Sequence, residues 1–256
     1  YSVGPAQFDL PSIKNDKVTP RVVVRYKPSS QASIYASFTQ GYKAGVIDAG
    51  GSCQYPPTFV CNTVKPEKIN AYEVGAKFDN RIISLEAAAF YYDYKNLQVS
   101  SYSGQGHANI TNAASSEIYG LEGSARVNVS DALVLAGGAS WTHARYKEFH
   151  DAPVYLPGAF GFQIPNGITL RNVPMQRTPE FTGNLSATYT TELARGELQL
   201  SSNIYYSSKL YFAPSGTQFP QRGYEVLSAR AQWTNPSDTM TLGIWGNNLT
   251  NNRHLV

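Results

Sequence analysis

The sequence predicts an all-β protein, and within that class a transmembrane antiparallel up-and-down β-barrel. Three observations carry the expectation. Apolar and polar residues alternate with a period of two over segments longer than most soluble strands, and the connections alternate between short and long. The apolar parity, moreover, ends in an aromatic residue on four of the five strands that run to short turns.

Of the 256 residues, 15% are charged, against roughly 25% in an average soluble domain. Tyrosine is frequent, with 18 Tyr beside 11 Phe and 3 Trp, yet the mean hydropathy of -0.32 would suit a protein in water. A barrel reconciles the two, because only every second side chain faces lipid and the average conceals it. The richest apolar runs, such as 133–139, are short and contain glycine. None approaches the ~18 consecutive apolar residues of a spanning helix. A net charge of +3 without a basic cluster gives nucleic acid no footing as a partner.

In chain order the alternation marks ten strands, at 19–26, 32–43, 68–78, 82–99, 116–127, 133–146, 178–189, 197–210, 224–233 and 239–247. Several reach the roughly 9–11 residues a tilted strand needs to cross a bilayer. The connections 27–31, 79–81, 129–132, 190–196 and 234–238 are short and hold Asn, Asp, Ser, Pro or Gly. Those at 44–67, 100–115, 147–177 and 209–223 are long. Short turns on one side and long loops on the other match outer-membrane barrels, whose short turns are periplasmic.

Five strands run toward short turns and end at Tyr26, Phe78, Val127, Tyr189 and Trp233. Counting back by twos gives Val24 and Val22, Ala76, Val74 and Tyr72, Ala125, Leu121 and Tyr119, Ala187, Leu185 and Phe181, then Ala231, Ala229 and Leu227. The opposite parity carries the charge: Arg21, Arg25, Glu73, Lys77, Glu122 and Arg126, with Glu86 on a returning strand. These seven are the expected lumen-lining residues. Acids on the apolar parity, Asp93, Glu117 and Glu225, fall near the long-loop ends, where a charge costs least. A soluble antiparallel sandwich alternates too, so a soluble carbohydrate-binding β protein stands as an alternative. It accounts less well for the strand lengths and the loop order.

Cys53 and Cys61, the only cysteines, lie in a Pro/Gly-rich stretch with seven residues between them. That spacing favours a disulfide closing a small surface loop in an oxidising compartment such as the periplasm. No nucleophile elbow, H-E-x-x-H zinc site or P-loop is present, so neither an enzyme nor a cofactor is expected. The loop aromatics Tyr55, Phe59, Tyr155, Phe160, Phe162, Phe212 and Phe219 are candidates to touch a ligand, or to pack loops over a barrel mouth. His143 and His150 are weaker candidates for contact with a metal chelate, since their spacing is also that of ordinary solvent-facing histidines.

Several segments resemble the barrel of TonB-dependent receptors. They are 34–45 (IYASFTQGYKAG), Lys65-Pro66-Glu67 followed by 72–78 (YEVGAKF), 90–99 (FYYDYKNLQV), Asn112-Ala113 with Gly120-Leu121-Glu122, and 245–251 (WGNNLTN). Their order spans almost the whole chain. The resemblance implies a 22-stranded barrel around an N-terminal plug, of which residues 1–256 would supply about ten strands, without the plug and the final strand. It also implies the partners: outer-membrane lipid, the protein's own plug domain, TonB reached through a plug segment, and a small-molecule substrate such as a ferric chelate. The implied activity is energised uptake of a scarce nutrient across the outer membrane of a Gram-negative bacterium, with a ferric siderophore as the default cargo. A passive porin or a small complete barrel is the alternative within the same fold.

Overall fold

The computed structural model describes residues 12–48, 61, 63–102, 108–150, 152, 154–158, 161–163, 168–214 and 216–255. Ten strands form the wall: β1 (Arg21–Tyr26), β2 (Ala32–Lys43), β3 (Glu67–Asp79), β4 (Ile83–Tyr102), β5 (Ala108–Asn128), β6 (Leu133–Phe149), β7 (Phe181–Leu193), β8 (Gly196–Ser207), β9 (Tyr224–Thr234) and β10 (Thr241–Gly246). Each pairs antiparallel with its neighbour in the chain, in unbroken order from β1 to β10. An eleventh strand, Leu170–Pro174, pairs with the outer end of β6. Every expected strand is present.

The register sorts the side chains as the alternation requires. One row runs Val74, Ala89, Leu121, Trp141 and Phe181 across β3 to β7, all apolar. The next residue on each strand belongs to the other face, where Lys77, Glu86, Ser124, Gly138 and Asn184 align. Leu121 is 57% exposed, Leu185 58% and Ile244 74%. Such a continuous apolar face cannot rest against water. It needs hydrocarbon.

Four of the five short turns are held by a local device. The Ser29 Oγ accepts from the N–H groups of Gln31 and Ala32, at 3.2 and 3.1 Å. The Asn80 Oδ1 accepts from Ile82 and Ile83, at 2.8 and 2.7 Å. Ser130 serves Ala132 and Leu133 in the same way, and the Asn235 Oδ1 accepts from Thr239 and Met240. These are the side-chain-to-backbone bonds that make Ser and Asn turn formers.

The connection expected at 190–196 is shorter than its composition suggests. The ladder continues to the pair Leu193–Gly196, leaving a two-residue turn of Ala194 and Arg195 with φ of 51° and 64°. Two left-handed residues define the hairpin turn whose twist suits the strands, and Asn-Gly is its usual sequence. Ala and Arg hide it. The Trp233 Nε1 donates to the Leu193 carbonyl at 2.8 Å and fastens the turn to β9.

The long connections depart further from expectation. β4 and β5 are 20 and 21 residues long, so most of the predicted 100–115 loop is strand. Above the membrane both faces meet water, so the apolar alternation that marks a strand disappears there. The outer connections hold small ladders of their own: Val46–Ile47 with Thr63–Val64, Leu156–Gly158 with Gly161–Gln163, and Leu210–Tyr211 with Pro220–Gln221.

Placing Asn at 194 and Gly at 195 should stabilise the barrel by about 1 kcal/mol, because an L side chain in the left-handed region costs that order. Urea-dependent unfolding of the membrane-inserted protein reads the change. An unchanged or lower midpoint would remove the strain argument.

The inner wall and the outer mouth

All seven residues expected to line the lumen fall on the polar parity of the ladder. The structure brings Glu73, Lys77, Glu86 and Glu122 into one region and adds Tyr35, which the alternation alone did not single out. The Tyr35 hydroxyl donates to the Glu73 Oε1 at 2.6 Å. Its ring lies over Gly75, where a Cβ would stand 2.5 Å from the Tyr35 Cε1. The sequence Tyr-Glu-Val-Gly at 72–75 thus places a carboxylate and clears room for the ring that binds it. Lys77 and Glu86, directly opposite across β3 and β4, form an ion pair at 2.9 Å. Glu122, Arg126, Arg21 and Arg25 are exposed on this face and make no ion pair among the described residues.

A concave recess of about 400 Å³ opens here, lined by Tyr35, Lys77, Glu86, Glu122, Ser140, Asn184 and Tyr205. Toward β7–β10 the chemistry changes from charge to hydroxyl and amide. Ser186, Ser201, Asn203, Ser228, Arg230 and Trp245 border a second recess of about 460 Å³, with the Arg230 guanidinium donating to Gln232.

At the outer mouth lies the described residues' one packed apolar cluster. Val99, Tyr146, Phe149 and Ala152 are buried together, with Leu97, Leu170, Val173 and Met175 against them. It forms because Leu170–Pro174 folds back onto β6, placing Leu170 opposite Phe149 and Val173 opposite Tyr146. Lys147 has no partner on β5, since Ser115 pairs with Glu148 and Ser116 with Tyr146. That extra residue lets both Tyr146 and Phe149 turn inward. Burial pushes the Tyr146 phenol up to about 12, so it stays neutral and packs as an apolar ring. Amides stitch the neighbouring loop to the same end. The Gln98 Nε2 donates to the carbonyls of Ala44 and Lys65, and Asn112 exchanges bonds with the Lys65 backbone.

The candidate ligand-contact residues separate into groups. Tyr55, Phe59 and Phe160 lie outside the described residues, as does Cys53. Phe162 is in the short strand Gly161–Gln163. Tyr155 and Phe219 pack edge to face at 5.8 Å, and Gln218 bonds both backbone groups of Tyr155. Phe212 lies under the Arg177 guanidinium at 5.5 Å. These three aromatics are built into the outer loops. His143 sits within β6, inside the strand expected at 133–146, on the apolar face with its ring 4.8 Å from Tyr119. His150 lies just beyond β6, its Nδ1 bonded to Thr169 and its Nε2 3.7 Å from Glu148. Seven strand positions, roughly 23 Å, part the two histidines, so they do not form one chelate-binding pair. Cys61 is buried and disulfide-bonded.

An apolar belt outside, a charged wall inside and loops folded over one end define an outer-membrane β-barrel. The family model of the TonB-dependent receptor-like β-barrel matches residues 1–249, and the chain belongs to that family. It is 23% identical over 246 residues to the probable TonB-dependent siderophore receptor PiuA of Acinetobacter baumannii, covering 94% of this chain and 31% of that protein. The ferric yersiniabactin uptake receptor FyuA from Yersinia pestis superposes with a TM-score of 0.67 at 18% identity, over 91% of this chain and 32% of FyuA. The copper transporter OprC superposes with a TM-score of 0.66 at 12% identity, over 92% of this chain and 34% of OprC. The chain therefore spans about a third of the length of these relatives. Its membrane is the outer membrane of a Gram-negative bacterium. The soluble alternative is set aside.

Replacing Phe149 with Ala should cost about 3 kcal/mol, the usual range for a fully buried ring, and the loss should stay local. Limited proteolysis is expected to cut the 147–180 connection faster, while heat-modifiable migration of the barrel persists. Unaltered cleavage would mean the cluster does not hold the loop.

Proposed function

We propose that this chain forms part of the wall and outer mouth of a receptor that imports a scarce iron chelate with energy supplied through TonB. One observation carries the reading. The inner face presents charges that the wall itself leaves uncompensated, Glu122, Arg126, Arg21 and Arg25, beside the Tyr35–Glu73 and Lys77–Glu86 pairs. Charges in an enclosed lumen call for a fixed, complementary occupant. A plug domain of the same protein supplies one, with cationic side chains against Glu73 and Glu122. The hydroxyl-rich wall of β7–β10 binds such an occupant less tightly. The reading involves no bond-making chemistry and no resident cofactor.

Residues 1–256 are, in this reading, about ten of 22 strands, with the plug and the last strand contributed by other parts of the protein. Cys61 pairs with Cys53 and closes a turn in the 44–67 loop. Tyr155, Phe212 and Phe219 hold the loops in place, and the nearby loop surface makes first contact with cargo. PiuA and FyuA are named for siderophores, which favours a ferric siderophore here, whereas OprC is named for copper.

The test is uptake of a radiolabelled ferric siderophore by iron-starved cells in which the intact receptor is the sole route. Uptake should vanish without TonB. Persistence in cells lacking TonB would make the protein a passive pore. Glu122→Lys should reduce uptake about tenfold, the loss of one charge-assisted contact of roughly 1.5 kcal/mol or more, with heat-modifiable migration kept. Full uptake by that variant would remove Glu122 from the plug contact.

A further inference from the structure

On the outward face, a band of rings crosses the wall near its outer end. Phe38, Tyr72, Tyr91, Tyr119 and His143 occupy one row of the ladder from β2 to β6. Phe38 and Tyr72 lie 5.1 Å apart, Tyr72 and Tyr91 6.4 Å, and Tyr119 and His143 4.8 Å. Rings of this kind mark the boundary between hydrocarbon and headgroups.

Four positions further out on β3 and β4, on the same parity, stand Lys68 and Lys95. They are directly opposite each other, both are exposed, and neither makes an ion pair among the described residues. Four residues of a tilted strand carry them roughly 10 Å beyond the rings, at headgroup level. Between lie Asn70 and Asp93, with the Gln40 Nε2 donating to the Asn70 Oδ1 at 2.9 Å. Two other cations near this edge are paired within the wall: Lys147 with Glu117 at 3.1 Å, and Arg145 with Glu180 at 2.9 Å.

Like charges directly opposite on adjacent strands destabilise a sheet. An anion seated between the two ammonium groups turns that repulsion into attraction, and a phosphate supplies the charge that two lysines call for. We infer that Lys68 and Lys95 bind the phosphate of an outer-leaflet lipid headgroup, whose acyl chains lie against the Phe38–Tyr72–Tyr91 row. The lipid is favoured over free phosphate because the pair sits at the membrane boundary, where headgroups are concentrated and the rings below receive the chains. The inference holds whatever cargo the receptor imports.

The experiment uses the intact receptor in nonionic detergent and follows its thermal midpoint during titration with lipid A. Parallel titrations use dephosphorylated lipid A with the same acyl chains, and inorganic phosphate. Lipid A should raise the midpoint, and the other two should not. Lys68→Ala with Lys95→Ala should weaken the apparent affinity on the order of thirtyfold, about fivefold for each lysine. The charge-conserving pair Lys68→Arg and Lys95→Arg should keep the response, and Lys27→Ala, at a short turn, should not change it. An equal response to the dephosphorylated lipid, a response to inorganic phosphate alone, or full lipid A affinity in the double alanine variant would each overturn the inference. So would loss of the response in the arginine pair.

Discussion

The ladder of backbone hydrogen bonds is the constraint on which the rest of this structure depends. Within hydrocarbon no water accepts a stray N–H or satisfies a carbonyl, so each spanning residue must be bonded to the neighbouring strand. Once that is enforced, a side chain has only two places to go, and strand parity decides which. The belt of Val74, Leu121, Trp141 and Phe181 and the wall of Lys77, Glu86 and Glu122 are two consequences of one register. A one-residue slip would put Glu73 and Glu122 in lipid and Leu121 in the lumen. The register is therefore held by the cost of its alternatives as much as by its own bonds.

The same constraint explains what was legible in the sequence. Two unlike solvents on the two faces imprint a period of two, so all ten strands and the shared parity of the seven charged residues could be read from residue types alone. Where both faces meet water the imprint ends. The outer extensions of β4 and β5 read as loop for that reason, and the strand Leu170–Pro174 left no pattern to find. The Ala194–Arg195 turn was hidden for a different reason. Its left-handed geometry is imposed by the twist and ladder of β7 and β8, not by residues that prefer it. His143 drew notice as a chelate contact because it stands near a strand end, whereas its parity, shared with Leu135 and Trp141, points outward.

The mouth is stabilised by physics that parity does not describe. Tyr146 and Phe149 both face inward because Lys147 is an extra residue on β6, and the cluster they form joins residues from β4, β6 and the returning strand. Such a cluster needs partners distant in sequence, so no local pattern announces it. Tyr35 belongs to the same category. Its role follows from the hydroxyl reaching Glu73 and from the space left by Gly75 on the next strand.

The two rims of the wall are consequently independent. At the short-turn side, Ser29, Asn80, Ser130 and Asn235 each bond backbone groups within five positions, so those four turns are shaped mainly by local bonds. At the other side, the Gln98 and Asn112 amides and the Phe149 cluster tie together connections separated by dozens of residues. Sequence change in the outer loops is then free to alter what meets the mouth, provided the amides and the buried rings keep their partners. The register beneath is kept, because its bonds run from strand to strand.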